Sequence, residues 1–198
     1  PLLVFHLLQD YAFSSSDIIQ LLNGDLMTGK YIESSHYRLY VDRGKLLLFD
    51  RAALKRPVPL IIHSLPAEKR FGRYSLKFEW IDKEEYKNGK QEEMLILDGK
   101  NLLFPLLIRP WQPGDRIAPS KMKGNTKKVK DMLTEYKIPL PLKQSTPVIQ
   151  DDSKRIVAVF PSSEDYKYRP TKKSNKLLRI TGAILQNRLS PEQQDMHP

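Results

Sequence analysis

The stretch YRLYVDRGKLLLF, Tyr37–Phe49, decides the fold class. Tyr37, Leu39 and Val41 alternate with Arg38, Tyr40 and Asp42. A period of two puts successive side chains on opposite faces of a strand, so one face is apolar. Asp42-Arg43-Gly44-Lys45 supplies a turn, and Leu46–Phe49 continues as the return strand. Glycine between two such runs marks an antiparallel hairpin.

Upstream of the hairpin the pattern is helical. Ser14-Ser15-Ser16-Asp17 stands ahead of Ile18, Ile19, Leu21 and Leu22. Short polar side chains there can accept from the free amides of a first turn. Gly24 follows at the C′ position, where helices often end in the left-handed region. Leu2, Leu3, Phe5, Leu7 and Leu8 crowd a segment that ends at Asp10-Tyr11 and read as the tail of another helix.

Downstream, short strands dominate. Val58–His63 is an apolar run flanked by prolines, and Tyr74, Leu76, Phe78 and Trp80 alternate with Ser75, Lys77 and Glu79. Residues 82–93 form a polar connector containing Asn88-Gly89. Met94–Leu97, the turn Asp98-Gly99 and Leu102–Arg109 open a second block, and Pro110 to Pro119 is a proline-rich turn region. Residues 126–137 read as a helix, because Val129, Met132, Leu133 and Tyr136 share one face at 3.6-residue periodicity. Ile138-Pro139 stops it. Pro147–Ile149, the turn Asp151-Asp152-Ser153 and Ile156–Phe160 form a hairpin, and Leu177–Ile180 is a last strand before a polar tail from Asn187. The expected class is α+β: small antiparallel sheets with few short helices, in two subdomains, 1–95 and 96–198.

Composition removes several classes of function. The chain has 198 residues and no cysteine. A disulfide framework, a thiolate metal site and a cysteine nucleophile are therefore excluded. The longest apolar run, Leu102–Ile108, is far short of the ~20 residues that a spanning helix needs, so no membrane partner is expected; the absence of cysteine goes with the expectation of a reducing, cytoplasmic setting. The start, Pro1-Leu2-Leu3-Val4-Phe5, lacks Met and a basic n-region and reads as a cut inside a longer protein. His6, His36, His63 and His197 lack ligand spacing. The acidic pairs Glu84-Glu85, Glu92-Glu93 and Asp151-Asp152 lie in polar stretches without an apolar pocket to shift a carboxyl. No Gly-Gly pair or Walker A loop is present. No metal and no catalytic residue is expected in this chain.

Charge points to a polyanion. The formal net charge is +10, and residues 97–198 carry 19 Lys+Arg against 10 Asp+Glu. Within residues 109–130, Arg109, Arg116, Lys121, Lys123, Lys127, Lys128 and Lys130 face one acid, Asp115. Such a segment attracts nucleic acid. Pro113-Gly114 forces a turn whose amides Asp115 can bind, and Arg109 and Arg116 flank it as a candidate phosphate clamp. Trp111 either stacks on a base or plugs the core.

The stretch Leu106–Ile149, LLIRPWQPGDRIAPSKMKGNTKKVKDMLTEYKIPLPLKQSTPVI, resembles the C-terminal domain of the tRNA(Ile)-lysidine synthase family. The family pattern of Arg-x-Trp-x-x-Gly-Asp-Arg, Met-x-Gly, a Lys-Lys-Val-Lys helix, Ile-Pro and a Pro-Val/Leu strand falls on Arg109, Trp111, Gly114, Asp115, Arg116, Met122, Gly124, Lys127, Lys128, Asp131, Ile138, Pro139 and Pro147. Tyr31–Leu48 resembles the family's middle region, where a hairpin follows two helices. Lys121 stands where the family usually has Gly, Asn125-Thr126 looks one residue longer, and Lys143 replaces the usual Arg.

The resemblance implies a role in converting the wobble cytidine of an isoleucine tRNA with a CAU anticodon to lysidine, using ATP and free lysine. In the family, ATP and Mg belong to an N-terminal domain with a Ser-Gly-Gly-x-Asp-Ser loop, which this sequence lacks. The implied role here is tRNA binding and orientation near the acceptor stem, with no cofactor in the fragment. The implied tRNA-binding residues are Arg109, Trp111, Arg116, Lys121, Lys123, Lys127, Lys128, Lys130 and Lys143. An acceptor stem is A-form, so phosphate and 2′-hydroxyl contacts are expected. The competing reading is a docking or homodimerisation module with no direct RNA contact.

Overall fold

The computed structural model describes residues 2–24, 26–87 and 94–184. The Asn88-Gly89 turn, Glu92-Glu93 and the tail from Asn187 lie outside the described residues.

The first unit is two helices on a three-stranded sheet. Helix α1 spans Leu2–Leu8 and α2 spans Ser15–Asn23. Ser14 caps α2 by accepting from the Asp17 N–H at 3.1 Å. Gly24 ends the helix with φ −87° and donates its N–H to the Gln20 carbonyl at 3.2 Å, so the left-handed stop expected there is not used. Strands β1 (Tyr31–Glu33), β2 (Tyr37–Asp42) and β3 (Lys45–Asp50) pair antiparallel in that order. The β2–β3 register runs from Tyr37↔Asp50 to Asp42↔Lys45. Arg43 and Gly44 both take positive φ, 48° and 73°, the sign pattern that matches a two-residue turn to the strand twist. Leu39 and Val41 face the helices and pack with Leu8, Ile18 and Leu21.

The remaining strands are β4 (Leu60–Ile62), β5 (Ala67–Phe71), β6 (Tyr74–Ile81), β7 (Met94–Asp98), β8 (Leu106–Pro110), β9 (Arg116–Ile117), β10 (Lys127–Lys128), β11 (Pro147–Gln150), β12 (Ile156–Val159), β13 (Ser163–Glu164) and β14 (Leu177–Ile184). Among the described residues, three short α-helices accompany them: α3 (Lys83–Lys87), α4 (Val129–Glu135) and α5 (Leu140–Lys143). One sheet has the order β13-β12-β11-β8-β4 and another β5-β6-β14-β7, with every recorded ladder antiparallel. Both sheets take strands from each side of residue 95: β4 pairs with β8, and β6 with β14. Non-local pairing after β3, which local pattern does not report, thus joins the two sides of the division expected at 95/96.

The two larger sheets enclose the main core. Phe71, Leu76 and Phe78 meet Leu106, Ile108, Ile149, Val157 and Phe160 there. Burial of each such side chain contributes about 1.5–3 kcal/mol. Strands β11 and β12 are buried on both faces: Val148, Ile156 and Val159 turn instead toward Val129, Met132 and Leu133 of α4. That double burial explains why Ile156–Phe160 is an unbroken apolar run. Gly182 in β14 is a close-approach glycine: a Cβ there would lie 2.7 Å from Phe160 Cζ.

The expected helix over 126–137 is shorter than its periodicity suggests. Lys127 and Lys128 pair with Ile117 and Arg116, so α4 begins only at Val129. The cause lies just upstream, where Lys123 (φ 50°) and Gly124 (φ 94°) reverse the chain and return it alongside β9. At its end, Lys137 takes φ 53° and donates to Thr134 O, while Ile138 N–H reaches Leu133 O at 3.1 Å. This pair of bonds closes the helix before Pro139. The Lys137 carbonyl then accepts from Arg43 Nη2 at 2.6 Å, tying the first hairpin to the second unit.

Glu79 of β6 is the polar tie between the central strands of the smaller sheet. It accepts from Lys77 Nζ at 2.7 Å and from Arg179 Nε of β14 at 2.8 Å. Lys77 first, then Arg179, hold its carboxyl below the ordinary value of 4.5. A carboxylate with a depressed folded-state pKa stabilises above its unfolded value, and that contribution is lost as pH falls through the lower folded value. Glu79→Gln is expected to lower Tm at neutral pH and to flatten the loss of stability on acidification below about pH 4.5, measured by thermal melts across a pH series.

Candidate functional site

The site grows from the Pro113-Gly114 turn between β8 and β9. Arg109 sits opposite Val148 in the β8–β11 register, and paired residues share a face. That face is the one covered by α4, whose core includes Val148. There the Arg109 guanidinium meets the Asp115 carboxylate in a two-pronged bond, Nη1 to Oδ2 and Nη2 to Oδ1, both 2.8 Å. The two side chains are only 11% and 12% exposed. Asp115 Oδ2 also accepts the Gln112 N–H at 2.7 Å, and the Asp115 carbonyl accepts the Val129 N–H at 2.9 Å. The expected turn-binding role of Asp115 is therefore present. The expected two-arginine clamp is not: Arg109 is occupied by Asp115 and braces the turn.

Trp111 is half-buried against the α4 core and donates its indole N–H to the Lys143 carbonyl at 2.5 Å. Of the two roles open to it in the sequence, it takes the core one. Lys143 itself donates from Nζ to Thr134 Oγ1 at 3.0 Å. Lys127 is tied to Glu135 by an ion pair.

The other cations are exposed. Lys121, Lys123, Lys128 and Lys130 are all on the surface. Arg116 is exposed and donates from Nε and Nη2 to Thr126 Oγ1 at 3.3 and 3.1 Å. Arg116 lies directly opposite Lys128 in the β9–β10 ladder, so two like charges face each other on one surface. Directly opposed like charges destabilise a ladder, and a bound anion removes that penalty.

A cleft of about 360 Å³ opens beside the turn. Arg109, Asp115, Arg116, Gln150, Lys154, Arg155 and Asp165 are among its lining residues, and Arg109 Nε donates to Gln150 Oε1 at 3.3 Å. Gly114 also lines it, with φ 94° and open space where a Cβ would be. The cleft brings Arg109 and Arg116 together, but Lys121, Lys123, Lys127, Lys128, Lys130 and Lys143 are not among its lining residues. Sequence reading missed Lys154 and Arg155. They lie ~40 residues beyond the turn and reach it only because β11 pairs with β8. Their signal was present as a basic dipeptide following the Asp151-Asp152-Ser153 turn.

Comparison with known proteins places both units. The family model described as "TilS substrate binding domain" matches residues 1–51, and "TilS substrate C-terminal domain" matches residues 106–177. The tRNA(Ile)-lysidine synthase of Oceanobacillus iheyensis is 37% identical over 79 residues, covering 40% of this chain and 16% of that protein. The tRNA(Ile)-lysidine synthase of Parabacteroides distasonis is 28% identical over 187 residues, covering 90% of this chain and 40% of that protein. The chain thus spans well under half the length of these relatives. A crystal structure of the TILS C-terminal domain superposes with TM-score 0.54 at 19% identity, covering 65% of this chain and 99% of that one.

Breaking a buried ion pair by removing one partner costs about 3–5 kcal/mol. Asp115→Ala is therefore expected to lower unfolding free energy by about 3 kcal/mol in urea denaturation. Substitution of exposed Lys123 by Ala is expected to change it by less than about 0.5 kcal/mol.

Proposed function

The chain belongs to the tRNA(Ile)-lysidine synthase family, and from that membership we propose that it binds and orients an isoleucine tRNA for lysidine formation. The reaction joins free lysine to the wobble cytidine of a CAU anticodon at the expense of ATP. We assign this chain the RNA-holding part of that task. Its sequence supplies no Ser-Gly-Gly-x-Asp-Ser loop, and we assign ATP and Mg to none of its residues.

The observation that carries the reading is the opposed pair Arg116 and Lys128, with exposed Lys121, Lys123 and Lys130 nearby in sequence. An array of cations without matching acids meets a phosphate backbone by charge and shape rather than by base identity. The acceptor stem suits it, because an A-form helix offers phosphates and 2′-hydroxyls along a shallow groove. Arg109 and Trp111 support the face from behind, and Lys127 and Lys143 brace α4.

Binding of tRNA by the chain is expected to weaken steeply with salt. The double variant Arg116→Gln/Lys128→Gln is expected to lower affinity about tenfold or more and to reduce the log K against log salt slope by about two. A wild-type slope of zero in a filter-binding or anisotropy series refutes the reading.

A second reading rests on the first helix. Leu3 and Leu7 are 70% and 62% exposed one turn apart on α1, and Ile19 on α2 is 48% exposed. An apolar face of this kind suits docking or self-association. On that reading, sedimentation shows a dimer that Leu3→Glu/Leu7→Glu dissociates, while the Arg116→Gln/Lys128→Gln variant binds tRNA as well as the wild type.

A further inference from the structure

We propose that the cleft beside the Pro113-Gly114 turn seats one RNA backbone phosphate, held by Arg155, Lys154 and Arg116. The inference rests on the tRNA-binding reading and deepens it, by naming a subsite and two residues outside the basic segment 109–130.

Arg155 carries the argument. Its Nε is buried and, among the described residues, has no hydrogen-bond partner. Its Nη2 reaches Asp165 Oδ1 only at 3.4 Å. Asp165 is already satisfied by backbone: Oδ2 accepts the Ala118 N–H at 3.1 Å, and Oδ1 accepts the Lys167 N–H at 3.0 Å. The carboxylate therefore orients the guanidinium without saturating it. The side chain is 37% exposed and lines the cleft, so the terminal fork rather than the buried Nε is what a phosphate oxygen can reach.

The charge of the lining fits an anion. Arg109 and Asp115 cancel each other through their two-pronged bond. Arg116, Lys154 and Arg155 then face Asp165, an excess of cations on the cleft wall. Among the described residues, Lys154 has no ion-pair partner and Arg116 bonds only to Thr126. Arginine forks match phosphate oxygens in geometry as well as charge.

The loop that carries these residues is rigidly built. Asp151 is 2% exposed and accepts from the Ser153 N–H at 3.0 Å, the Arg155 N–H at 3.3 Å and the Tyr168 hydroxyl at 2.7 Å. Lys154 takes φ 66°, and the β11–β12 register shifts between Ile149 and Gln150. Such a bulged loop re-aims side chains, here toward the cleft. Gln150 Nε2 donates to the Lys154 carbonyl at 2.5 Å and fixes the loop from the strand side.

The test compares the 198-residue chain with Arg155→Gln, Arg155→Lys, Lys154→Gln and the control Lys173→Gln, each checked for an unchanged melt. Binding of tRNA is measured across a salt series, with inorganic phosphate titrated in parallel. The expected result is that Arg155→Gln and Lys154→Gln each weaken tRNA binding five- to tenfold and reduce the salt slope by about one. Arg155→Lys, which keeps charge but loses the fork, is expected to restore the slope but not the full affinity. Lys173→Gln is expected to bind as the wild type does. Folded Arg155 and Lys154 variants with wild-type affinity and slope overturn the subsite and leave the tRNA reading standing. Phosphate binding that depends on Arg155 while tRNA binding does not also overturns it, in favour of a free-anion site. A wild-type chain without salt-dependent tRNA binding overturns both.

Discussion

Asp115 is the residue on which the charged face is assembled. Its carboxylate takes both terminal nitrogens of Arg109 and the Gln112 N–H, and its carbonyl takes the Val129 N–H. One residue therefore joins the end of β8, the Pro-Gly turn and the start of α4. The pair is nearly buried, so its two charges must be matched closely, because an unmatched charge in a low-dielectric interior is costly. Arg109 is drawn inside by this requirement. The cations left to meet a ligand are displaced to the rim, at Arg116 and Lys128, and to the cleft lining at Lys154 and Arg155.

The repulsion this creates is tolerated because of what lies behind it. Arg116 opposite Lys128 costs about 0.2–1 kcal/mol. On the inner side of the same short ladder, Ile117 is 2% exposed and packs with Val129, Met132 and Leu133, which are at most 1% exposed. Each such buried side chain contributes about 1.5–3 kcal/mol, so burial outweighs repulsion several-fold. Strands β11 and β12 make this possible by presenting apolar side chains to both sides.

The first unit is attached at a joint. The hairpin tip donates Arg43 Nη2 to the Lys137 carbonyl, and the Arg73 guanidinium lies 5.1 Å from the Phe49 ring. Both contacts cross from the β1–β3 unit to the sandwich. Lys137 holds its carbonyl outward because it occupies the left-handed position that ends α4. A helix stop thus doubles as a docking point, and the regions matched at 1–51 and 106–177 meet through it.

Local chemistry was legible. The Tyr37–Phe49 hairpin, the cap at Ser14, the Asp115 turn and the Val129, Met132 and Leu133 part of the α4 face are present as expected, whereas Tyr40 and Asp42 are buried beside Leu39 and Val41 and Tyr136 is 44% exposed. The basic segment and its motif were legible for the same reason: charge and turn chemistry are local. Three features were decided by tertiary structure. The pairing of β4 with β8 and β6 with β14 joins residues far apart in sequence and carries both larger sheets across residue 95. The pairing of Lys127 and Lys128 with β9 shortens α4, since a backbone partner overrides helical periodicity. The fate of each arginine was settled the same way. Arg109 and Arg116 look alike in sequence, one on either side of a turn. Only the β8–β11 register, which sets Arg109 on the α4-covered face, makes the first a buried brace and leaves the second free to meet a charge.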